Sequence, residues 1–245
     1  MTTPLSIEGI CKAFGKHQVL QDVSFDLNEG EIFGLIGLNG AGKTTLIKII
    51  LNLLSADKGG ARIFDLDSAS VEARGKLCYL PEKFQPSRYL KGREFLAFAL
   101  SYYDRQLDMD KARRMADSFD LRPEMLDERV GAYSKGMGQK LGLLSAFMAD
   151  VPFLMLDEPM SGLDPSARIK LKRMMLDARR NGASIFFSSH ILSDIDEICD
   201  RIGVIHDGRL LYVGTPQAFK EAYTAATLEL SFLKAIGADD EVEAA

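Results

Sequence analysis

At 245 residues, with 47% hydrophobic and 27% charged side chains, the chain has the makeup of a globular protein able to bury one large core, or a core plus a lobe. Its net charge of −5 argues against a nucleic-acid-binding surface. No apolar run approaches the roughly 20 residues that span a bilayer, and Met1 to Ser6 lacks the basic and apolar parts of a leader, so the chain is expected to be soluble by itself.

Along the chain, Ile7 to Phe14 and Val19 to Leu27 alternate as antiparallel strands joined by a turn at Gly15-Lys16-His17. The buried strand Ile32–Ile36 follows, and then Gly37-Leu38-Asn39-Gly40-Ala41-Gly42-Lys43-Thr44-Thr45 opens a helix expected to end near Leu54. Gly59-Gly60 precedes a short strand, Ala61 to Phe64. Lys76 to Leu80 reads as a core strand stopped by Pro81. From about Phe84 to Ala149 the pattern is helical: Phe95, Phe98, Ala99 and Tyr102 follow three-and-four spacing, as do Leu141, Leu144 and Met148. Phe153–Leu156 is the continuous apolar run of a parallel strand covered on both faces. Asp164-Pro165 caps a helix with a stripe at Leu171, Met174, Met175 and Ala178, ended by Asn181-Gly182. Its basic stripe reads as a solvated face. Ser184–Phe187 and Ile202–Ile205 are further core strands, Asp207-Gly208 turns a hairpin into Arg209 to Val213, and Thr215-Pro216 caps a short final helix. Gly237 to Ala245 is an acidic tail expected to be disordered. Cys11, Cys78 and Cys199 are too scattered for a zinc site or disulfide framework and read as buried or half-buried thiols. The expected fold is α/β: a phosphate-loop core with a mostly parallel sheet, an N-terminal antiparallel β-subdomain, and a helical insertion at about 84–149. One domain is expected over 1–225, with an extension over 226–245.

The segment from Gly37 to Thr44 fits G-x-x-x-x-G-K-[ST] between a strand and a helix, the context that gives the pattern meaning. Glycines let backbone N–H groups turn around a polyphosphate, and the helix N-terminus adds partial positive charge. Lys43 would reach the outer phosphates, and the Thr44 hydroxyl would ligate Mg²⁺, which takes hard oxygen donors. Glu82, Asp157-Glu158 and His190 each follow a predicted strand. In a parallel sheet they arrive with the phosphate loop at the carboxyl edge, where such sheets bind ligands. Asp157 is placed to hold the metal, Glu158 to orient or deprotonate the attacking water, and His190 to bond the terminal phosphate.

With these residues in view, the chain resembles the ATP-binding subunits of ATP-binding cassette (ABC) transporters over about residues 4 to 220. Tyr133-Ser134-Lys135-Gly136-Met137 is similar to that family's Leu-Ser-Gly-Gly-Gln signature, departing at the first, third and fifth places and keeping Ser134 and Gly136. The resemblance makes Ser161-Gly162-Leu163-Asp164 the D-loop, with Asp164 among the nucleotide-site residues, His190 the switch histidine, and Phe14 the aromatic that stacks on adenine. Glu82 stands where the family's Q-loop has glutamine, with Gln85 three residues on. A carboxylate there can order water or the metal but adds negative charge beside Asp157 and Glu158. The stretch Tyr89 to Leu96 looks like the branch whose permease is separately encoded, which includes many bacterial exporters, and Leu228 to Leu233 is similar to that branch's ending.

What the resemblance implies is a head-to-tail pair of nucleotide-binding domains, expected as a homodimer. Each Mg²⁺-ATP would lie between one chain's phosphate loop and the other's Ser134 and Gly136. Hydrolysis would drive transport, expected as export, through a membrane permease that holds the subunit on the inner face of the cell membrane. The competing reading is a soluble cassette ATPase in a non-transport assembly, such as cofactor assembly. A GTP switch is disfavoured because no Asn-Lys-x-Asp segment occurs.

Overall fold

The computed structural model describes residues 2–238. In chain order, β1 (Leu5–Phe14) and β2 (His17–Leu27) form an antiparallel pair, β3 (Ile32–Ile36) leads through the phosphate loop into α1 (Lys43–Ile50), and β4 (Lys58–Ile63) and β5 (Leu66–Asp67) follow. Then come α2 (Val71–Gly75), β6 (Leu77–Leu80), α3 (Gly92–Ser101), α4 (Met109–Ser118), two short 3-10 turns and α5 (Lys135–Met148). The chain continues through β7 (Phe153–Asp157), α6 (Pro165–Arg180), β8 (Ser184–Ser189), α7 (Leu192–Ile198), β9 (Arg201–His206), β10 (Arg209–Gly214), α8 (Pro216–Ala222) and α9 (Leu228–Ala235).

Two sheets result. The smaller runs β2-β1-β4-β5, and the larger runs β10-β9-β3-β8-β7-β6 with only its β10 edge antiparallel. The parallel strands are apolar throughout because they are covered on both faces. Along β3, Phe33 and Leu35 pack toward α1 and the small sheet, while Ile32 and Ile36 pack toward the helices of the other layer. Met155 and Phe186 share the first side, and Leu154, Leu156, Ile185 and Phe187 the second. The two sheets meet through stacked rings: Phe25 of β2 lies 5.0 Å from Phe33 and 6.2 Å from Phe186, all nearly parallel. Offset-stacked pairs of this kind add about 0.5–1.5 kcal/mol beyond their buried area.

Several expected boundaries move, each for a local reason. Phe14 pairs with His17, so the first hairpin turns on Gly15-Lys16 alone. Helix α1 stops at Ile50 rather than near Leu54, because Asn52 adopts a left-handed φ of 54° and Leu53 and Leu54 donate back to the Lys48 carbonyl. Gly59 and Gly60 lie inside β4 instead of before it. A Cβ on Gly59 would sit 2.2 Å from the Glu8 carbonyl oxygen, so glycine permits a bulged close approach to β1. On α3 the helix is where the spacing puts it, but Leu96 and Leu100 are the buried residues, while Phe98 and Tyr102 are 54% and 70% exposed. In α6, Leu171 and Met175 are buried and Met174 and Ala178 pack partly against the core. Helix α8 is not the last, since α9 follows it. The acidic tail expected over Gly237 to Ala245 lies outside the described residues from position 239 onward. The three cysteines are free thiols, with Cys78 buried. Among the described residues no helix is long and apolar enough to cross a membrane.

Candidate functional site

The carboxyl edge of the parallel sheet positions the reactive side chains. The phosphate loop leaves β3, Glu82 lies two residues beyond β6, Asp157 ends β7 with Glu158 next, and His190 follows β8 directly. One cleft of about 210 Å³ is lined by Leu38, Asn39, Gly40, Gly42, Lys43, Thr44, Thr45, Glu82, Asp157, Glu158 and His190, together with Val19 and Ser161. Gly42 sits at φ 108° as the N-cap of α1, a conformation open to glycine, and a Cβ there would meet Leu20 Cδ2 at 2.7 Å. With no side-chain cap, the first amides of α1 are left facing the cleft, an arrangement suited to an anion.

Lys43 is 6% exposed; its Nζ donates to the Gly37 carbonyl at 2.6 Å and to the Leu38 carbonyl at 3.3 Å, and lies 3.9 Å from Glu158 Oε1. Burial holds its pKa below the usual lysine value, opposed by the charges of Glu158, Asp157 and Glu82. Asp157 is buried, and burial, reinforced by Glu158 and Glu82, pushes its carboxyl above the ordinary range while a hydrogen bond from Ser188 works the other way. The Ser188 hydroxyl donates to Asp157 Oδ1 at 2.5 Å and accepts from the Glu158 N–H at 3.0 Å. Glu158 takes a left-handed backbone, φ 49°, a sparsely populated conformation for a non-glycine residue. Its Oε2 lies 2.8 Å from His190 Nδ1. Burial, reinforced by the charges of Asp157 and Glu82, raises the Tyr79 phenol to about 12.

Three carboxylates thus face one ammonium, a balance that favours a divalent cation and orients any phosphate toward Lys43 and the loop amides. Thr44, Asp157 and Glu82 offer the hard oxygens that Mg²⁺ takes. Among the described residues no three His, Cys, Asp or Glu side chains gather closely enough to cage an ion. Such a donor set fits a metal that completes its shell with water and substrate phosphates.

Other expected residues lie outside this cleft. Gly37 serves it through the carbonyl that accepts from Lys43, and Ala41 is buried beneath the loop. Ser134 caps α5, accepting from the Met137 amide at 3.3 Å, and borders an adjoining groove with Lys135, Gly138 and Gln139 that shares Glu82 and Ser161 with the cleft. Gly136 lies in the first turn of α5 beside the Gly162 carbonyl. Asp164 caps α6 through the Ala167 amide at 2.9 Å. Phe14 is 51% exposed at the end of β1, with Lys12 Nζ 5.6 Å from its ring centre. Sequence reasoning missed Ser188 and Val19. Two serines closing the apolar run of β8 were the available signal for the first, whereas Val19 reads as an ordinary strand residue.

A family model described as ABC transporter matches residues 20–161. The chain is 35% identical over 229 residues to an uncharacterized ABC transporter ATP-binding protein, YxlF, of Bacillus subtilis, covering 93% of this chain and 76% of that one. It is 32% identical to the fluoroquinolones export ATP-binding protein Rv2688c of Mycobacterium tuberculosis, covering 94% and 77%. Other relatives at 36% and 35% identity run longer, and the chain spans 57% and 59% of their length. A solved structure titled an ATP binding subunit of an ABC transporter superposes with a TM-score of 0.87 at 30% identity, covering 96% of this chain and all of that one.

Proposed function

The chain belongs to the ABC transporter ATP-binding family, and from that premise we propose a subunit that hydrolyses Mg²⁺-ATP in a head-to-tail pair to drive export through a separate membrane permease. The observation that carries this reading is the convergence of Lys43, Glu82, Asp157, Glu158 and His190 on one cleft, while the serine-capped helix start at Ser134 borders a different groove. A pair of copies related by a two-fold would bring Ser134 and Gly136 of one to the triphosphate of the other. Export is supported by the name of the mycobacterial relative.

In this mechanism the amides of Leu38 to Thr45 and the Lys43 ammonium hold the phosphates of the substrate ATP. Gly37 and Ala41 shape the loop, and Phe14 stacks on the base. Thr44, Asp157 and Glu82 would hold Mg²⁺, whose chemistry there is to neutralise developing charge on the phosphates. Glu158 takes the proton of the attacking water, and His190, hydrogen-bonded to it, keeps the carboxylate aimed and reaches the terminal phosphate. Such a base contributes about 10²–10⁴-fold in rate. Asp164 and the loop before it face the opposite molecule. The closed pair is the ATP-favoured state, and opening after hydrolysis transmits motion to the permease at the membrane's inner face.

Two measurements test the reading. Purified protein should release phosphate from ATP only with Mg²⁺, and a multispanning protein should be retained with it from native membranes in mild detergent. Absence of magnesium-nucleotide heat in calorimetry sinks the enzyme reading, while failure to retain any multispanning protein from native membranes sinks the transport half.

A further inference from the structure

Two loops that flank the cleft continue directly into helices: Ser161–Asp164 into α6, and His190 into α7. Those helices are joined at their first turns. Arg168 of α6 donates from Nε to the Leu163 carbonyl at 3.3 Å, and its Nη1 stands 3.9 Å from Asp194 Oδ2 in α7. Asp194 is 6% exposed; its Oδ1 accepts from Lys172 Nζ at 3.2 Å, but its Oδ2 is buried with no hydrogen-bond partner among the described residues. Lys172 is already committed on its other side to Glu197.

A buried carboxylate oxygen without a donor is costly and rare in native folds. Here the missing donor is in view, just beyond hydrogen-bond reach. An advance of Arg168 by roughly an ångström, to ordinary N–H···O distance, would satisfy Oδ2. Because the same guanidinium holds the Leu163 carbonyl, that advance draws the Ser161–Asp164 loop and the helix behind His190 toward each other. A second arrangement with Oδ2 bonded would, beside the one observed, supply the discrete states that coupling between sites requires.

We propose that Arg168 and Asp194 are a positioning pair that couples the Ser161–Asp164 loop to His190, bonding fully when two cassettes close on ATP. This rests on the reading that the loop faces the opposite molecule. Closure presses on the loop, Arg168 carries the displacement to Asp194, and His190, already 2.8 Å from Glu158, is set against the terminal phosphate. Neither Arg168 nor Asp194 lines the cleft, so the pair acts on turnover and not on ATP binding.

The test is steady-state phosphate release from Mg²⁺-ATP by the full chain. Wild type is compared with Arg168→Met, Asp194→Asn and the double variant, with thermal melts alongside. Each single change should lower kcat about three- to tenfold and leave KM for ATP within about twofold, the size of effect expected of a coupling residue. The double variant should be no slower than the worse single, since both remove one interaction. Arg168 has a side chain 34% exposed, so its replacement keeps the experiment interpretable even if Asp194→Asn lowers the melting temperature. An unchanged kcat in Arg168→Met, single losses that multiply in the double, or a KM rising in step with the loss overturns the coupling. A wild type that releases no phosphate overturns the ATPase reading itself, and the coupling with it.

Discussion

The cleft around Lys43 and the helix start at Ser134 are both receptive to anions, yet they are built on opposite plans. In the cleft the functional groups are buried and already engaged with one another: Lys43 with loop carbonyls, Asp157 with Ser188, Glu158 with His190. At the head of α5, Ser134 is exposed, and among the described residues its hydroxyl serves to cap its own helix. The first turn of α5 carries no acidic residue and begins with Lys135, so a positive helix end and an ammonium stand together. One half is finished by this chain's own side chains, and the other calls for negative charge brought by something else. That asymmetry is what a head-to-tail pair requires.

The two halves differ most in what Glu158 does. Glu158→Gln should keep ATP affinity and lose turnover by about 10²–10⁴-fold, leaving an ATP-bound dimer visible by size-exclusion chromatography. Normal steady-state hydrolysis would remove Glu158 from the base role. Lys43→Ala should weaken ATP binding about ten- to a hundredfold, the worth of lost charge-assisted hydrogen bonds, as read by an equilibrium titration. Ser134→Ala sharpens the contrast, since it should leave ATP affinity of the monomer alone and lower kcat about three- to tenfold. Equal loss of monomer binding would mean that Ser134 serves its own chain's cleft.

The smallest expected effect concerns stability. Because the fold raises the Asp157 pKa, native protein binds that proton more tightly than the unfolded chain does. Its favourable contribution is therefore complete below the ordinary carboxylate range and is lost as pH rises through the raised value. Asp157→Asn should consequently raise the nucleotide-free melting temperature at neutral pH by about 2–4 °C, as about 1 kcal/mol does at this chain length, and the gain should vanish on acidification. A variant that melts lower at neutral pH would show that the Ser188 hydrogen bond outweighs the buried charge.

The sequence was most readable where a residue's role follows from its place on a strand. The apolar runs Ile32–Ile36, Phe153–Leu156 and Ser184–Phe187 identify parallel strands, and from them the meeting of Lys43, Glu82, Asp157, Glu158 and His190 could be anticipated before any coordinate. Reading failed where the answer depended on a partner distant in sequence. Gly59 looks like a linker residue until the Glu8 backbone is seen against it. Phe98 and Tyr102 have the right spacing for a core stripe, but what surrounds α3 selects Leu96 and Leu100 instead. Helix α7, with an isoleucine at its N-cap and no side-chain cap, offers little start signal, and the Arg168–Asp194 juxtaposition needs two helices packed together to become visible.

The ring pile of Phe25, Phe33 and Phe186 has a consequence for how the molecule comes apart. It rivets the small antiparallel sheet to the strand that feeds the phosphate loop, so heat cannot peel one sheet away while leaving the other intact. Both should melt as a single cooperative block. The arm over 84–149 joins that block through α5, whose Leu141 and Leu144 share a core with Ile36 and Leu156, so the amides of α4, which buries only Ala112 and Ala116, should exchange with deuterated water before those of α5.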